Sequence, residues 1–249
     1  VKSYRQIKNH ELEKIINLFK PYNVYIPLIR IGDDKDGGYL VPKILNNVEY
    51  CFSIGVGKSS SFEKNLEKYN IKSFLADKTV DKPAIKLSNY NFDKKNIHSY
   101  SKNEHININD WLLSKINNNN FHKSILQIDT DGFEYESILA LDEKILSELQ
   151  LIIIEFHGLE LAGNENFNFI LNSVLTKINL FHTSVHIHPN NCCGVHRVGK
   201  YNFPSVLEAT FLNKKLINKK KPIDLLPHKL DKKNVDKKND ILLQDYWFK

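Results

Sequence analysis

Cysteine is scarce, with only Cys51, Cys192 and Cys193 in 249 residues. Three at such spacing cannot build a disulfide scaffold or a zinc cage, and they suit the reducing cytoplasm. No stretch approaches the roughly 18 consecutive apolar residues of a membrane span, and residues 1–10 lack the apolar segment of a secretory leader. A membrane-spanning protein is thereby excluded. Methionine is absent throughout, position 1 included, so some natural sequence upstream of Val1 is expected to be missing. Arginine is almost absent: Arg5, Arg30 and Arg197 stand beside 32 lysines. Nucleic-acid sites draw on the planar, bidentate guanidinium, so the net charge of +6 and pI near 9.0 do not indicate one. The charge is also badly placed for it. Residues 213–249 hold eleven Lys and five Asp, while residues 1–212 hold 24 basic and 24 acidic residues. Lysine together with 29 asparagines matches what AT-rich codons supply.

What is present is an alternation of apolar runs and amphipathic segments. Residues 10–20, with Leu12, Ile15, Ile16 and Phe19 at helical spacing, predict a helix stopped by Pro21. The run at 50–54 enters Gly55-Val56-Gly57, then three serines and a helical pattern of Phe62, Leu66 and Tyr69. That is strand, tight turn, helix. A second strand at 72–76 ends at Asp77, the stretch around Pro83 carries no clear pattern, and 97–100 suits a third strand. A helix at 107–116 is interrupted by the asparagine run at 117–120. The strongest strands follow, 124–128 ending at Asp129 and 151–154 ending at Glu155, each leading into a helical pattern at 136–149 and 166–180. Buried runs alternating with helices imply a parallel sheet covered on both faces. Two last strands, 183–188 and 205–212, flank a polar loop at 189–194 and are expected to be antiparallel. The sum is an open α/β sheet of about seven strands, with its site at the carboxyl ends of the parallel ones.

The candidate polar residues fall at those ends. Gly55 and Gly57 let the backbone approach a ligand, and the following helix directs amides at an anion. Asp77 closes the next strand, where an acid accepts hydrogen bonds from ribose hydroxyls. Alternatively these are a tight turn and a helix cap; together they favour a nucleoside-containing cofactor. Gly57-Lys58-Ser59 also matches the end of a P-loop, but that motif needs glycine at position 52, which is Phe inside the strand.

The order of these elements resembles the Rossmann-like fold of class I S-adenosylmethionine-dependent methyltransferases. Gln127-Ile128-Asp129-Thr130-Asp131-Gly132-Phe133-Glu134 is similar to the Ile-Asp-x-Glu-Gly-x-Glu segment of the FkbM type, with Asp131 in place of the usual Glu. Glu155-Phe156-His157 resembles the next strand end, and Arg30-Ile31-Gly32 with Asp36-Gly37-Gly38-Tyr39 the opening motif. The resemblance implies methyl transfer from S-adenosylmethionine to a hydroxyl of a sugar, nucleotide-linked or in the glycan of a bacterial surface or capsular polysaccharide. The alternatives are a methyltransferase for a non-sugar small molecule or an amine, and a catalytically idle module that keeps the fold to bind S-adenosylmethionine or a nucleotide. The resemblance divides the chain into an N-terminal helical segment 1–29, a methyltransferase domain 30–212 and a Lys-rich extension 213–249.

A sugar hydroxyl needs a general base or a cation that stabilises its alkoxide. Asp129 and Asp131 at one strand end and Glu155 and His157 at the neighbouring one could converge on one crevice, where Asp129 and Glu155 would suit Mg²⁺ or Mn²⁺. A loose likeness to metal-dependent sugar O-methyltransferases of the TylF type also implies Asp129 as a metal ligand. Asp131 would then take the proton, with His157 an alternative base. Arg30, Gly37, Gly38, Gly55, Gly57, Asp77 and Asp129 are candidates to hold the cofactor. Tyr39, His186, His188, Asn190 and Asn191 are candidates for the acceptor pocket, although a strand with its polar face in water would show the same alternation. The lysines of the tail fit a solvated arm or a grip on a diphosphate, and Tyr246-Trp247-Phe248 are expected to dock on the body or on a second copy.

Overall fold

The computed structural model describes residues 7–116 and 120–249. Arg5 and the first three positions of the asparagine run lie outside the described residues. Seven strands form the central sheet: β1 (Tyr50–Ile54), β2 (Lys72–Ala76), β3 (Tyr90–Asp93), β4 (Ser124–Ile128), β5 (Leu151–His157), β6 (His182–Pro189) and β7 (Val206–Asn213). Their order is β6-β7-β5-β4-β1-β2-β3. The pairs among β1 to β5 are parallel, and β7 runs antiparallel to both β5 and β6. This is the expected mostly parallel α/β sheet with its antiparallel end.

Alternation along the central strands sorts the core into two layers. Phe52, Ile54, Leu126, Ile152 and Ile154 face the layer under α1 (Asn9–Phe19), α3 (Ile108–Lys115), α4 (Glu134–Ala140), α5 (Glu143–Glu148) and α6 (Glu165–Phe181). Cys51, Ile125, Leu151 and Ile153 face α2 (Ser61–Leu66) and an antiparallel hairpin of Leu28–Ile31 with Tyr39–Pro42. The helices start where side chains replace missing backbone partners. Asn164 Oδ1 accepts from the amides of Asn166 and Phe167 at the head of α6. Asp142 caps α5 in the same way through the Lys144 amide, and for that reason the single helix expected at 136–149 is two.

Two further expectations are corrected. The third sheet strand is Tyr90–Asp93, inside the stretch without a clear pattern. Residues 96–98 instead pair with His105–Asn107 in a small separate ladder. The loop between β6 and β7 also carries a hairpin, Val195–Val198 with Tyr201–Pro204. Cys192 and Cys193 are joined to one another there, a bond between neighbours that closes no loop of the fold.

The tail is not a solvated arm. Lys221–Pro222 pairs with Tyr22–Asn23, and Trp247 is wholly buried against Phe203 and Phe19, with ring centroids 5.2 and 6.1 Å away. Its indole N–H donates to the Asn202 carbonyl at 3.1 Å. α1 and the closing aromatics thus share one core with the sheet. No helix among the described residues is long and apolar enough to cross a membrane.

Candidate active site

Strand register converts scattered sequence positions into one row. Ala76, Ile54, Ile128 and Ile154 are side by side on β2, β1, β4 and β5. The residues that follow them, Asp77, Gly55, Asp129 and Glu155, therefore share the next rung. Glu155 pairs with Glu208 on β7, and Glu208 with His188 on β6. Six neighbouring chain segments thus deliver polar or glycine positions to the carboxyl edge of the parallel strands, where open α/β sheets bind ligands.

On the β1–β2 side of this row lies a cavity of about 420 Å³, lined by Gly55, Gly57, Asp77, Ile97, His98, Asp129 and Phe133 among others. A volume of about 300–1,000 Å³ suits a small molecule. Gly55 and Gly57 both have positive φ, +79° and +48°, but they serve different ends. A Cβ on Gly55 would lie 1.7 Å from the Asp129 carbonyl oxygen, whereas one on Gly57 meets nothing within 4 Å. Gly55 lets strand ends close; Gly57 keeps the cavity open. The Asp77 carboxylate accepts from the Gly57 amide at 2.8 Å and from the Thr79 amide and hydroxyl at 2.7 and 2.6 Å. Of about four acceptor positions on a carboxylate it spends three on shaping this loop. Phe52 is wholly buried among Phe74, Trp111 and Phe121, which excludes the P-loop.

Next along the row, acids gather around one imidazole. Glu134, fully buried, accepts from the backbone amides of His157 and Gly132 at 2.8 Å each and lies 3.3 Å from His157 Nδ1. This fixes the ring so that Nε2 faces Asp129 Oδ1 and Asp131 Oδ1 at 3.7 and 3.6 Å. Asp129, Glu155 and His157 each bring one ligand atom within 4.8 Å of the others. Burial, and then the neighbouring Glu155, push the Asp129 carboxyl well above the usual range. Burial and the facing Glu208 push Glu155 up to about 7. Burial alone would lower the His157 imidazole, but its bond to Glu134 and the surrounding acids outweigh this and raise it. Asp131, at φ +50°, keeps its side chain 98% exposed at the cavity mouth.

Other residues singled out from the sequence sit differently. Arg30 does not line the cavity; its Nε and Nη2 donate to the carbonyls of Asp33 and Lys35 at 2.7 and 2.9 Å, bracing the hairpin bend. Gly38 is a packing position, where a Cβ would lie 2.0 Å from the Asp33 carbonyl oxygen. Gly37 and Tyr39 line a pocket of about 90 Å³ that adjoins the larger one and shares Asp36, Gly55, Gly57 and Asp129 with it. Tyr39 is buried, and burial with the nearby acids raises its hydroxyl pKa well above normal. His186 and His188 do share a face, but that face lies under the tail: His186 Nε2 pairs with Asp231 at 3.0 Å and His188 Nε2 lies 3.8 Å from Asp240, while its Nδ1 lies 3.5 Å from Glu208 of β7. Asn190 Nδ2 donates to Glu155 at 2.7 Å, and Asn191 exchanges bonds with the Val235 backbone at 2.8 and 3.0 Å. One orients an acid; the other fastens the tail.

Three residues of the site escaped the sequence reading. Glu63 is buried beside Ser53 and Gln127 at the small pocket. Glu208 is the one charged residue of β7, a signal that was present in the sequence. Asn234 arrives from the tail, 2.5 Å from Glu208 and 3.3 Å from Asp36.

A glycine-shaped cavity, an acid at the second strand end and an acid–imidazole cluster at the fourth and fifth now stand in one crevice. Among solved structures the chain is similar to the crystal structure of N-methyltransferase NodS from Bradyrhizobium japonicum WM9, at 12% identity, covering 67% of this chain and 86% of that one with a TM-score of 0.37. No curated protein matches it. Residues 29–179 match the family model described as Methyltransferase FkbM domain, and the chain belongs to that family of methyltransferases.

Proposed function

We propose that this methyltransferase is an O-methyltransferase that uses S-adenosylmethionine and acts on a sugar hydroxyl, with the sugar nucleotide-linked or part of a bacterial surface glycan. The observation that carries the cofactor is the cavity at Gly57, where a Cβ would project into open space. When bound there, S-adenosylmethionine supplies a methyl group made electrophilic by its sulfonium. Gly55, Gly57 and Asp77 hold the loop against it, and Phe133, 52% exposed over the same cavity, offers an aromatic face.

The acceptor chemistry rests on the acid–imidazole cluster. Asp129, Glu155 and His157 form a donor set of two carboxylates and one imidazole that suits Mn²⁺ or Mg²⁺. Glu134 behind His157 repeats the carboxylate–histidine arrangement that orients metal-ligating imidazoles. Such a cation would lower the pKa of a bound hydroxyl. Asp131, exposed beside His157 Nε2, takes the proton as the hydroxyl attacks, and the walls of the crevice align donor and acceptor.

The test is product formation: purified protein, S-adenosylmethionine and a panel of free and nucleotide-linked sugars, with mass spectrometry for added methyl groups. Asp131→Asn is expected to lower kcat by about 10²–10⁴-fold while binding of S-adenosylhomocysteine stays unchanged. An undiminished rate in that variant removes Asp131 from the role. The acidity of the crevice supports a second reading, an amine acceptor drawn in as its cation; methylated amines in place of ethers in the same assay would establish it.

A further inference from the structure

The cavity beside Gly57 has a far end. Beyond Asp77 it is walled by Lys95, Ile97, His98, His105 and Phe133, which follow β3 or cap α4. Four rings gather there. His98 lies 4.7 Å from both Tyr100 and His105 and 5.1 Å from Phe133, centroid to centroid. His98 itself is only 8% exposed, and a buried imidazole needs a partner for each of its nitrogens.

One nitrogen is provided for. The Glu136 carboxylate of α4 lies against His98 Nδ1 and also accepts from the Ser99 amide at 3.3 Å. A carboxylate this close to a ring nitrogen requires a proton on it, because two lone pairs would repel. In the neutral ring Nε2 is then a bare acceptor, and among the described residues nothing donates to it. His105, edge-on to His98, has a buried Nδ1 with no hydrogen-bond partner. This end of the cavity therefore lacks polar partners that a ligand would bring.

The nucleoside part of S-adenosylmethionine offers the complement. An acid at the second strand end takes the ribose, which sets the base towards these rings. Adenine carries a 6-amino group, a donor, where hypoxanthine and guanine carry an oxygen. We propose that His98 reads that amino group through Nε2, with Glu136 as the positioning residue that fixes the tautomer. The inference rests on the S-adenosylmethionine reading above and adds base specificity to it. A 6-oxo base would set two acceptors face to face at Nε2. Moving the ring proton to meet it would set a lone pair against Glu136. Phe133 supplies an aromatic face for the base.

Calorimetry of the full chain with S-adenosylhomocysteine and S-inosylhomocysteine tests this, since the second has oxygen in place of the 6-amino group. The parent is expected to bind the adenosyl compound about ten- to hundredfold more tightly. In His98→Gln the side-chain amide presents either a donor or an acceptor and should bring the two affinities together. Glu136→Ala frees the tautomer and should narrow the ratio in the same direction. Glu136 is partly exposed, so its variant carries the test if His98→Gln does not fold. Nitrogen-15 shifts of the His98 ring add a readout that a merely structural role would not move. The proton is expected on Nδ1 in the parent and shared between both nitrogens in Glu136→Ala. Equal affinities in the parent, tighter inosyl binding, or a ratio that neither substitution changes overturns the role of His98 and leaves the cofactor reading standing. A neutral parent ring with its proton on Nε2 also overturns it. Binding of neither compound defeats both readings.

Discussion

An added methyl group at Gly57 meets open space, whereas at Gly55 it collides with the backbone of Asp129. Gly57→Ala should therefore fold, at a cost of about 1–2 kcal/mol for its left-handed backbone, and lose cofactor affinity. Gly55→Ala should lose the fold itself. Urea denaturation separates the two, and equal destabilisation would show that Gly57 is merely a turn. At this scale the sequence was readable wherever a polar residue directly follows the last residue paired in parallel, as with Asp77, Asp129 and Glu155. Glu208 broke that rule for a physical reason. β7 is antiparallel, so its beginning lies at the site edge and the acid is the third residue of the strand. Arg30 misled because a guanidinium satisfies backbone carbonyls as readily as a ligand carboxylate.

Among the elements, β6 opens with a wholly buried histidine. His182 Nε2–H donates to the Leu149 carbonyl at 2.9 Å, and burial holds its imidazole down at about 4, against 6.5 unperturbed. The unfolded chain takes up that proton near 6.5 and the folded one does not, so stability falls as pH drops from 6.5 towards 4. A shift of this size amounts to about 3 kcal/mol. His182→Gln should blunt the acid loss, measured as the difference in urea stability between pH 7.5 and 4.5; an unchanged difference contradicts the assignment. β1, β2 and β4 were found from sequence because they are mostly apolar runs buried on both faces. β3, Tyr-Asn-Phe-Asp at the sheet edge, is half exposed, so nothing in its composition separates it from a loop. The break between α4 and α5 was hidden because both helices keep apolar residues in phase, and only the Asp142 cap marks the joint.

Taken whole, the molecule is closed by its ends. Trp247 fills the space between α1 and the 201–204 strand, so Trp247→Ala should destabilise the fold by about 3–5 kcal/mol. A urea midpoint within error of the parent would mean that the tail is a loose attachment. Asn234 and Asp231 of the same tail reach Glu208 and His186, contacts with no periodicity that a sequence could display. The sheet order and the row from Asp77 to His188 follow from strand register, and they assemble one crevice from residues 36 to 234. The central claim is that this crevice binds S-adenosylmethionine at the Gly57 cavity. Calorimetric titration with S-adenosylhomocysteine tests it most directly, on the parent chain and on Gly57→Ala. Micromolar binding that weakens at least about tenfold in the variant, some 1.4 kcal/mol, is the predicted result. No heat of binding in the parent, or the same affinity in both, would contradict the account.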